Sequence, residues 1–464
     1  MTAYSTHYPE HTTPMWLNSH EHPPITPDTV WETLGKTMLA DGGGITDFVL
    51  DLRRSRGSYL YDSLNQRMML DFFTFVASSP IGINHPKLWS NRAFLDKLLF
   101  AAIVNPSNSD IYTVEFAEFV DTFSQVAKPA SMKYTFWISG GALAVENALK
   151  AAFDWKVRKN FKKGYKSEKG HHVIYFREAF HGRSGYTLSL TNTDPAKTLH
   201  FPKFSWSCIE NPKLTFPLSE RHIQKALDLE KHAIASIQKV FKEHQDEVAA
   251  IVIEPIQGEG GDNHFRPEFL KHLQTLAHEH EALLIFDEVQ TGLGLTGKMW
   301  ASEHFIIPDI ITFGKKMQVC GFMASNRLDE VDQHVFQAGS RINSTWGGNL
   351  ADMVRSKRNL EIIKEDNLVL NAATVGNHLL NQLLELGEEF GERLTNIRGR
   401  GLMIAFDMPN RDSRNHFIKN AQDSGLMILG CGEKSVRLRP PLTLSLEEAD
   451  EGISIIRKVV QTMA

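Results

Sequence analysis

Leu283-Leu-Ile-Phe-Asp-Glu-Val-Gln-Thr-Gly292 and Pro308-Asp-Ile-Ile-Thr-Phe-Gly-Lys-Lys316 decide how this chain folds. Each contains a short, nearly unbroken apolar run, the pattern of a strand buried on both faces of a parallel sheet. The first run ends on Asp287, and Lys315 stands 28 residues further on, just past the second. A carboxylate at a buried strand end can hold a pyridine nitrogen protonated. A lysine in a neighbouring strand-to-loop turn can form an imine with an aldehyde. Pyridoxal phosphate requires those two groups of a protein, so a phosphate cradle, an aromatic cover for the ring and a carboxylate clamp should lie elsewhere in the chain.

The flanking sequence repeats the strand–helix alternation. Tyr134-Thr-Phe-Trp-Ile138 predicts a strand followed by a helix from about Ala142 to Lys159, and His172-Val-Ile-Tyr-Phe176 predicts the next strand. Val248-Ala-Ala-Ile-Val-Ile-Glu254 leads to a helix opened by Pro267, with Phe269, Leu270, Leu273, Leu276 and Ala277 on one face. Proline in the first turn is a helix-start signal. This alternation predicts an α/β fold with a mostly parallel sheet covered on both sides. Ligands of such sheets gather beyond the carboxyl ends of the strands, where Asp287 and Glu254 should sit. Residues 46–76 read as a short strand meander, and residues 1–30, rich in His, Pro and Thr, as a loosely ordered arm. A long helical stretch over Leu350–Glu389, a strand at Leu402–Phe406 and an amphipathic helix at Leu446–Met463 complete the chain. The expected division is an arm and part of a small domain (1–85), a large cofactor-binding domain (86–349) and a C-terminal small domain (350–464).

Fifty basic and 55 acidic residues give a net charge of −5, which argues against nucleic acid as a partner. No apolar run approaches the roughly 18 residues of a membrane span, and the N-terminus has no basic start followed by an apolar core. Cys208, Cys320 and Cys431 are too few and too scattered for a disulfide framework or a zinc site. A reducing cytoplasm and no metal are therefore expected. The basic run between Lys156 and His172 reads as a solvated surface.

Gly292-Leu-Gly-Leu-Thr-Gly297 imitates a nucleotide-binding loop. With Lys298 it nearly matches a P-loop, but the next position is Met299, where a Mg²⁺-binding hydroxyl is needed. A dinucleotide site would want an acidic residue about 20 positions later at the end of a second strand. Asp309 instead follows Pro308 at the start of one. The glycines are expected to let the loop pass close to a ligand or a second subunit.

Several further motifs occur in order. Ile138-Ser-Gly-Gly-Ala-Leu-Ala-Val-Glu146 reads as strand, glycine turn and helix start, a place where backbone N–H groups bind phosphate. Phe180-His-Gly-Arg183, Glu254-Pro-Ile-Gln-Gly-Glu259, Asn343-Ser-Thr-Trp-Gly-Gly-Asn349 and Val436-Arg-Leu-Arg-Pro-Pro-Leu442 follow. Together with the two strand ends, they resemble the class III (ω-) aminotransferases of the pyridoxal-phosphate fold type I over nearly the whole chain. Within that class the chain looks most like the lysine 6-aminotransferases. The resemblance implies a large domain built on a mostly parallel sheet, with a smaller α+β domain drawn from both chain ends.

It also implies roles. Lys315 would carry the cofactor and shuttle a proton, with Lys316 as its competitor for that part. Asp287 would pair with the ring nitrogen, Val289 pack on one ring face, Gln290 bond the ring hydroxyl and Phe180 stack on the other face. Gly141 and Ala142 would cradle the phosphate without the usual hydroxyl side chain, and Thr345 would reach it from a second subunit, making a homodimer with a shared active site. Arg183 and Arg437 would bind substrate carboxylates, since a planar bidentate fork suits that task. Arg439 reads as structural, and Glu259 would pair with Arg437 and mask it. Glu288 has no role visible in the sequence. The implied reaction moves the ε-amino group of L-lysine to 2-oxoglutarate, giving 2-aminoadipate 6-semialdehyde and L-glutamate. Ornithine, acetylornithine and 4-aminobutyrate remain rival donors at this stage, because one or two methylenes are worth only about 1–3 kcal/mol in a pocket. An aminomutase and a cofactor-binding scaffold without turnover are the readings from other classes.

Overall fold

The computed structural model describes residues 25–36 and 48–463. The expected arm at 1–30 falls mostly outside them, apart from a 3-10 turn at Pro27–Thr29 and the start of a short helix at Val30–Gly35. At the centre lies a seven-stranded sheet. Its order in space is Met132–Ile138, Cys320–Ser325, Ile310–Phe313, Leu283–Asp287, Val248–Ile253, His172–Phe176 and Ser207–Ile209. Only Cys320–Ser325 runs against the others, pairing antiparallel with both of its neighbours.

Side-chain alternation along the central strands explains why both faces are covered. Ala250, Val252, Leu283 and Ile285 face the helix Gly141–Lys162, packing with Val145, Ala148, Leu149 and Ala152. Ile251, Ile253, Leu284 and Phe286 point the other way, into a cluster with Ile237 and Phe241 of the helix Glu220–Glu243 and Phe269, Leu273 and Ala277 of Pro267–Glu279. A run that reads as unbroken apolar sequence thus serves two helix layers.

Two smaller sheets bring the chain ends together. Leu50–Arg56, Tyr59–Asp62 and Arg67–Asp71 form the expected meander, and Leu426–Met427 joins its edge in parallel with Arg67–Asp71. Thr395–Arg400, Met403–Asp407, Ser435–Leu438 and Leu429–Cys431 form the other sheet. The helical stretch expected over 350–389 is two helices, Leu350–Glu365 and Leu368–Phe390. Asn367 breaks it with φ of 51° in the left-handed region, a conformation that Asn tolerates better than most residues. No helix among the described residues is long and apolar enough to cross a membrane.

Candidate active site

Consecutive loops at the carboxyl ends of the large sheet deliver the candidate residues. The strand ending at Ile138 turns through Gly140, whose φ of 103° suits glycine, into the helix Gly141–Lys162. The first N–H groups of that helix have no acceptor within it. A Cβ on Gly141 would lie 2.9 Å from Cγ1 of Val289, so only glycine lets the helix end approach this strand end. A Cβ on Gly314 would meet the same methyl at 3.3 Å. Val289 is therefore wedged between the helix start and the turn that carries Lys315.

Asp287 is buried, and each of its oxygens is held. Oδ1 accepts Val289 N at 3.0 Å and the Thr312 hydroxyl at 3.1 Å. Oδ2 lies 2.8 Å from Nδ1 of His181, whose side chain is fully buried. Burial works against a proton on His181, but the hydrogen bond and charge of Asp287, aided by Glu254, outweigh it and raise its pKa. Nε2 of the same ring is buried without a hydrogen-bond partner. His181 lies inside the Phe180-His-Gly-Arg183 motif, yet only the fold reveals its contact with Asp287. Glu254, at the end of the adjacent strand, accepts Phe180 N and Gly258 N, each at 2.9 Å. Burial pushes its carboxyl up to about 7.

The two adjacent lysines separate cleanly. Lys316 is 1% exposed and donates to the carbonyls of Ser79 at 3.1 Å and Pro440 at 3.4 Å, which ties the large sheet to both chain ends. Lys315 is half-buried, with φ of 36°, and no side-chain hydrogen bond or ion pair holds its amine among the described residues. Burial lowers its pKa and the nearby positive charge of Arg437 lowers it further, against the pull of Asp287, Glu254 and Glu259. A lysine that loses its proton more readily is the better nucleophile.

Arg437 and Arg439 also part ways. Arg439 is 1% exposed, forms an ion pair with Asp262 at 2.5 Å and donates to Oε1 of Gln290 at 3.3 Å. That contact fixes the orientation of the Gln290 amide and leaves its nitrogen free to donate elsewhere. Arg437 lies in the strand Ser435–Leu438, and its Nη1 stands 2.9 Å from Oε2 of Glu259. The pair is close but poorly aligned, so Nη1 is buried without a proper hydrogen bond. Burial favours a neutral Glu259, yet Arg437 and then Lys197 overcome it and hold the carboxyl below its usual range. Lys197 was not anticipated; its Nζ is 2.7 Å from Oε1 of Glu259. Phe180 is half-buried, with the Arg183 guanidinium 5.9 Å and the Lys197 ammonium 5.2 Å from its ring centroid. Arg183 itself is exposed.

Thr345 is exposed on a loop laid over residues 107–109: Ser107 donates to its carbonyl at 2.5 Å, and Asn108 N donates to the Trp346 carbonyl at 3.3 Å. Among the described residues no hydrogen bond or ion pair links the Thr345 side chain to the other candidate groups. Beside it the surface is apolar, with Leu99, Phe100, Ile103, Val104, Ile111, Tyr112 and Trp346 all exposed.

Glu288 acquires a structural role. Its buried carboxylate accepts Thr291 Oγ1 at 3.0 Å, Ala301 N at 2.5 Å and Ser302 N at 2.9 Å, closing the glycine-rich loop on itself. Within the chain the glycines let that loop pack closely: a Cβ on Gly292 would strike Trp300 at 2.5 Å and one on Gly297 would meet Ala373 at 2.9 Å. Burial raises the Glu288 carboxyl to about 7. A folded pKa above the unfolded value gives a stability contribution that is full below about 4.5 and is lost as pH rises through about 7. Glu288→Gln should accordingly flatten the stability profile over that interval. Glu288→Ala, which strands three donors, should cost about 2–4 kcal/mol in chemical denaturation.

The arrangement fits a phosphorylated pyridine aldehyde: an open helix start, a carboxylate fixed from three sides at a strand end, and an unclaimed amine in the turn just past the neighbouring strand. Comparison with known proteins agrees. The family model Aminotransferase class-III matches residues 43–460. The L-lysine-epsilon aminotransferase of Mycobacterium bovis is 49% identical over 94% of this chain and 96% of its own length. That of Amycolatopsis lactamdurans is 44% identical over 93% and 96%. The solved structure described as lysine aminotransferase from M. tuberculosis in the internal aldimine form superimposes with a TM-score of 0.92 at 49% identity, over 95% of this chain and all of the other.

Proposed function

We propose that this chain, which belongs to the class III aminotransferases, moves the ε-amino group of L-lysine to 2-oxoglutarate, yielding 2-aminoadipate 6-semialdehyde and L-glutamate. Its fold is the pyridoxal-phosphate fold type I, and its cofactor is pyridoxal 5′-phosphate. The similarity to lysine-epsilon aminotransferases over nearly the whole chain carries the donor assignment, and the Glu259–Arg437 pair supports an amine donated from a carbon without a carboxylate.

When bound, the cofactor supplies an aldehyde and an electron-withdrawing ring. Lys315 would hold the cofactor through its Nζ and, when its amine is free, would carry a proton at the carbon that bears the substrate amine. Asp287, fixed by His181, Thr312 and Val289 N, would face the ring nitrogen. The free N–H groups of Gly141 and Ala142 receive the phosphate. Val289 and Phe180 bound the ring, and the Gln290 amide nitrogen donates to its hydroxyl.

Two different substrates must use one pocket. The ε-carbon of lysine bears no carboxylate, so an uncovered Arg437 beside it would be a buried unpaired charge, and Glu259 removes that cost. Glutamate or 2-oxoglutarate brings a carboxylate next to the reacting carbon, which displaces Glu259 and takes Arg437. Arg183, further out, holds the lysine α-carboxylate or the distal carboxylate of 2-oxoglutarate. Glu259→Ala should therefore slow the lysine half-reaction by about tenfold or more while touching the glutamate half-reaction less. Equal losses in the two, read by single-turnover spectroscopy, would end the gating idea.

Large exposed apolar patches mark partner surfaces. The one around Leu99, Phe100 and Trp346 supports a homodimer in which Thr345 serves the phosphate of the other subunit. The small sheets support a division into 1–85, 86–349 and 350–464, and the three free cysteines fit a cytoplasmic location. The decisive experiment adds L-lysine to the cofactor-loaded protein without any keto acid. Loss of the cofactor's resting absorbance, restored by 2-oxoglutarate, is the expected result. An unchanged spectrum with lysine and conversion by ornithine or 4-aminobutyrate would move the donor to one of those.

A further inference from the structure

Glu259 has a second cation at hand. While Arg437 faces Oε2, the other oxygen lies 2.7 Å from Nζ of Lys197. Lys197 ends the short 3-10 turn Pro195–Lys197, and Asp194 fixes that turn: its carboxylate accepts Ala196 N at 2.9 Å and its carbonyl accepts Lys197 N at 3.0 Å. The ammonium also donates to Thr193 Oγ1 at 3.2 Å.

The backbone of Glu259 is clamped. Gly432 N donates to its carbonyl at 2.9 Å, Gly258 N is held by Glu254 at 2.9 Å, and a Cβ on Gly260 would fall 2.0 Å from the Glu178 carbonyl oxygen. Glu259 can leave Arg437 only by rotating its side chain. It has room to do so, because Glu259 and Lys197 both line a cleft of about 1620 Å³ whose walls do not include Arg437.

We propose that Lys197 is the resting partner of Glu259 when a substrate carboxylate occupies Arg437, and thus a positioning residue that sets how easily the gate opens. The proposal rests on the reading of Glu259 and Arg437 given above. Two effects of Lys197 act in the same direction. A half-buried carboxylate released from Arg437 without another cation would bear its desolvation unrelieved, and Lys197 relieves it. With the gate closed, Lys197 shares the carboxylate with Arg437 and so weakens that hold. Both lower the free energy of opening, which matters only for substrates that carry a carboxylate on the reacting carbon. The lysine half-reaction proceeds with the gate closed.

The test compares Lys197→Met and Lys197→Arg in the holoenzyme. Single-turnover titrations with L-lysine and with L-glutamate are read alongside calorimetric binding of glutarate, a dicarboxylate that carries no amine. Lys197→Met should weaken L-glutamate and glutarate by about tenfold, as expected for a charge-assisted hydrogen bond discounted for partial exposure. The lysine half-reaction should stay within about twofold, and Lys197→Arg should recover most of the loss. Equal losses with lysine and glutamate, or a loss confined to lysine, would overturn the proposal. In a Glu259→Ala background Lys197→Met should have no further effect on glutamate. A persisting effect there would mean that Lys197 touches the substrate directly, and the proposal fails. Failure of the gate itself is read separately, as a Glu259→Ala single variant that slows both half-reactions equally whatever Lys197 does, and it takes this proposal down with it.

Discussion

Lys315→Ala is expected to lower kcat by about 10⁴-fold or more, while Lys316→Met keeps turnover within about tenfold and loses stability instead. The contrast follows from where the two ammonium groups end. The Lys316 group is spent on the carbonyls of Ser79 and Pro440, and burial with the nearby charge of Arg439 lowers its pKa to about 7 in spite of Asp71. Lys315 emerges half-buried at the strand end next to Asp287, with its pKa lowered and its amine unclaimed. A 10⁴-fold loss corresponds to about 5 kcal/mol of transition-state stabilisation, which is reasonable when nucleophile and proton carrier disappear together. Borohydride reduction of the holoenzyme followed by peptide mass analysis gives an independent readout. The cofactor mass should appear on the peptide at Lys315, and be absent in Lys315→Ala. Its appearance on Lys316 would reverse the assignment.

The parts of this site that could be read from the sequence are those set by local chain geometry. A strand end followed by an acidic residue, a glycine turn before a helix, and Pro267 opening another helix each depend on a few neighbouring residues. The observed strands His172–Phe176 and Leu283–Asp287 accordingly coincide with the expected ones. The break at Asn367 was missed because apolar periodicity continues on both sides of Glu-Asp-Asn, although Asp and Asn are poor helix formers and were the available signal. Glu288 gave no hint because its three donors lie up to 14 residues away in a loop without periodicity. Lys197 is the extreme case. It sits 62 residues from Glu259 in an irregular segment, and only the packing of the 193–197 turn against the 258–261 loop makes them partners. The sequence thus exposed the groups proposed to hold the cofactor, while those proposed to tune substrate exchange depend on tertiary contacts between loops.

Asp287→Asn should reduce kcat by about 10²–10³-fold without preventing the fold. The side chain keeps its shape, so one oxygen can still accept Val289 N and the Thr312 hydroxyl. What is lost is the charge. An opposite charge in contact shifts a titrating nitrogen by about 1–3 pKa units, so an amide in its place depopulates the protonated ring by up to about a thousandfold. The histidine contact sharpens the expectation. An amide whose nitrogen faces His181 Nδ1 sets two donors against each other, whereas one turned the other way presents its nitrogen to Val289 N and Thr312. Asp287→Asn therefore cannot satisfy all three neighbours. His181→Asn should cost less, about tenfold, because Thr312 and Val289 N still hold the carboxylate in place. Asp287→Glu should fall between, keeping the charge while displacing it by about one methylene against the buried Thr312 and His181. Steady-state kcat and the pH dependence of the cofactor absorbance decide the matter. The loss in Asp287→Asn should be accompanied by a ring nitrogen that releases its proton at lower pH. Turnover within tenfold of the parent, or an unmoved spectral titration, would mean that the electron sink does not depend on this carboxylate.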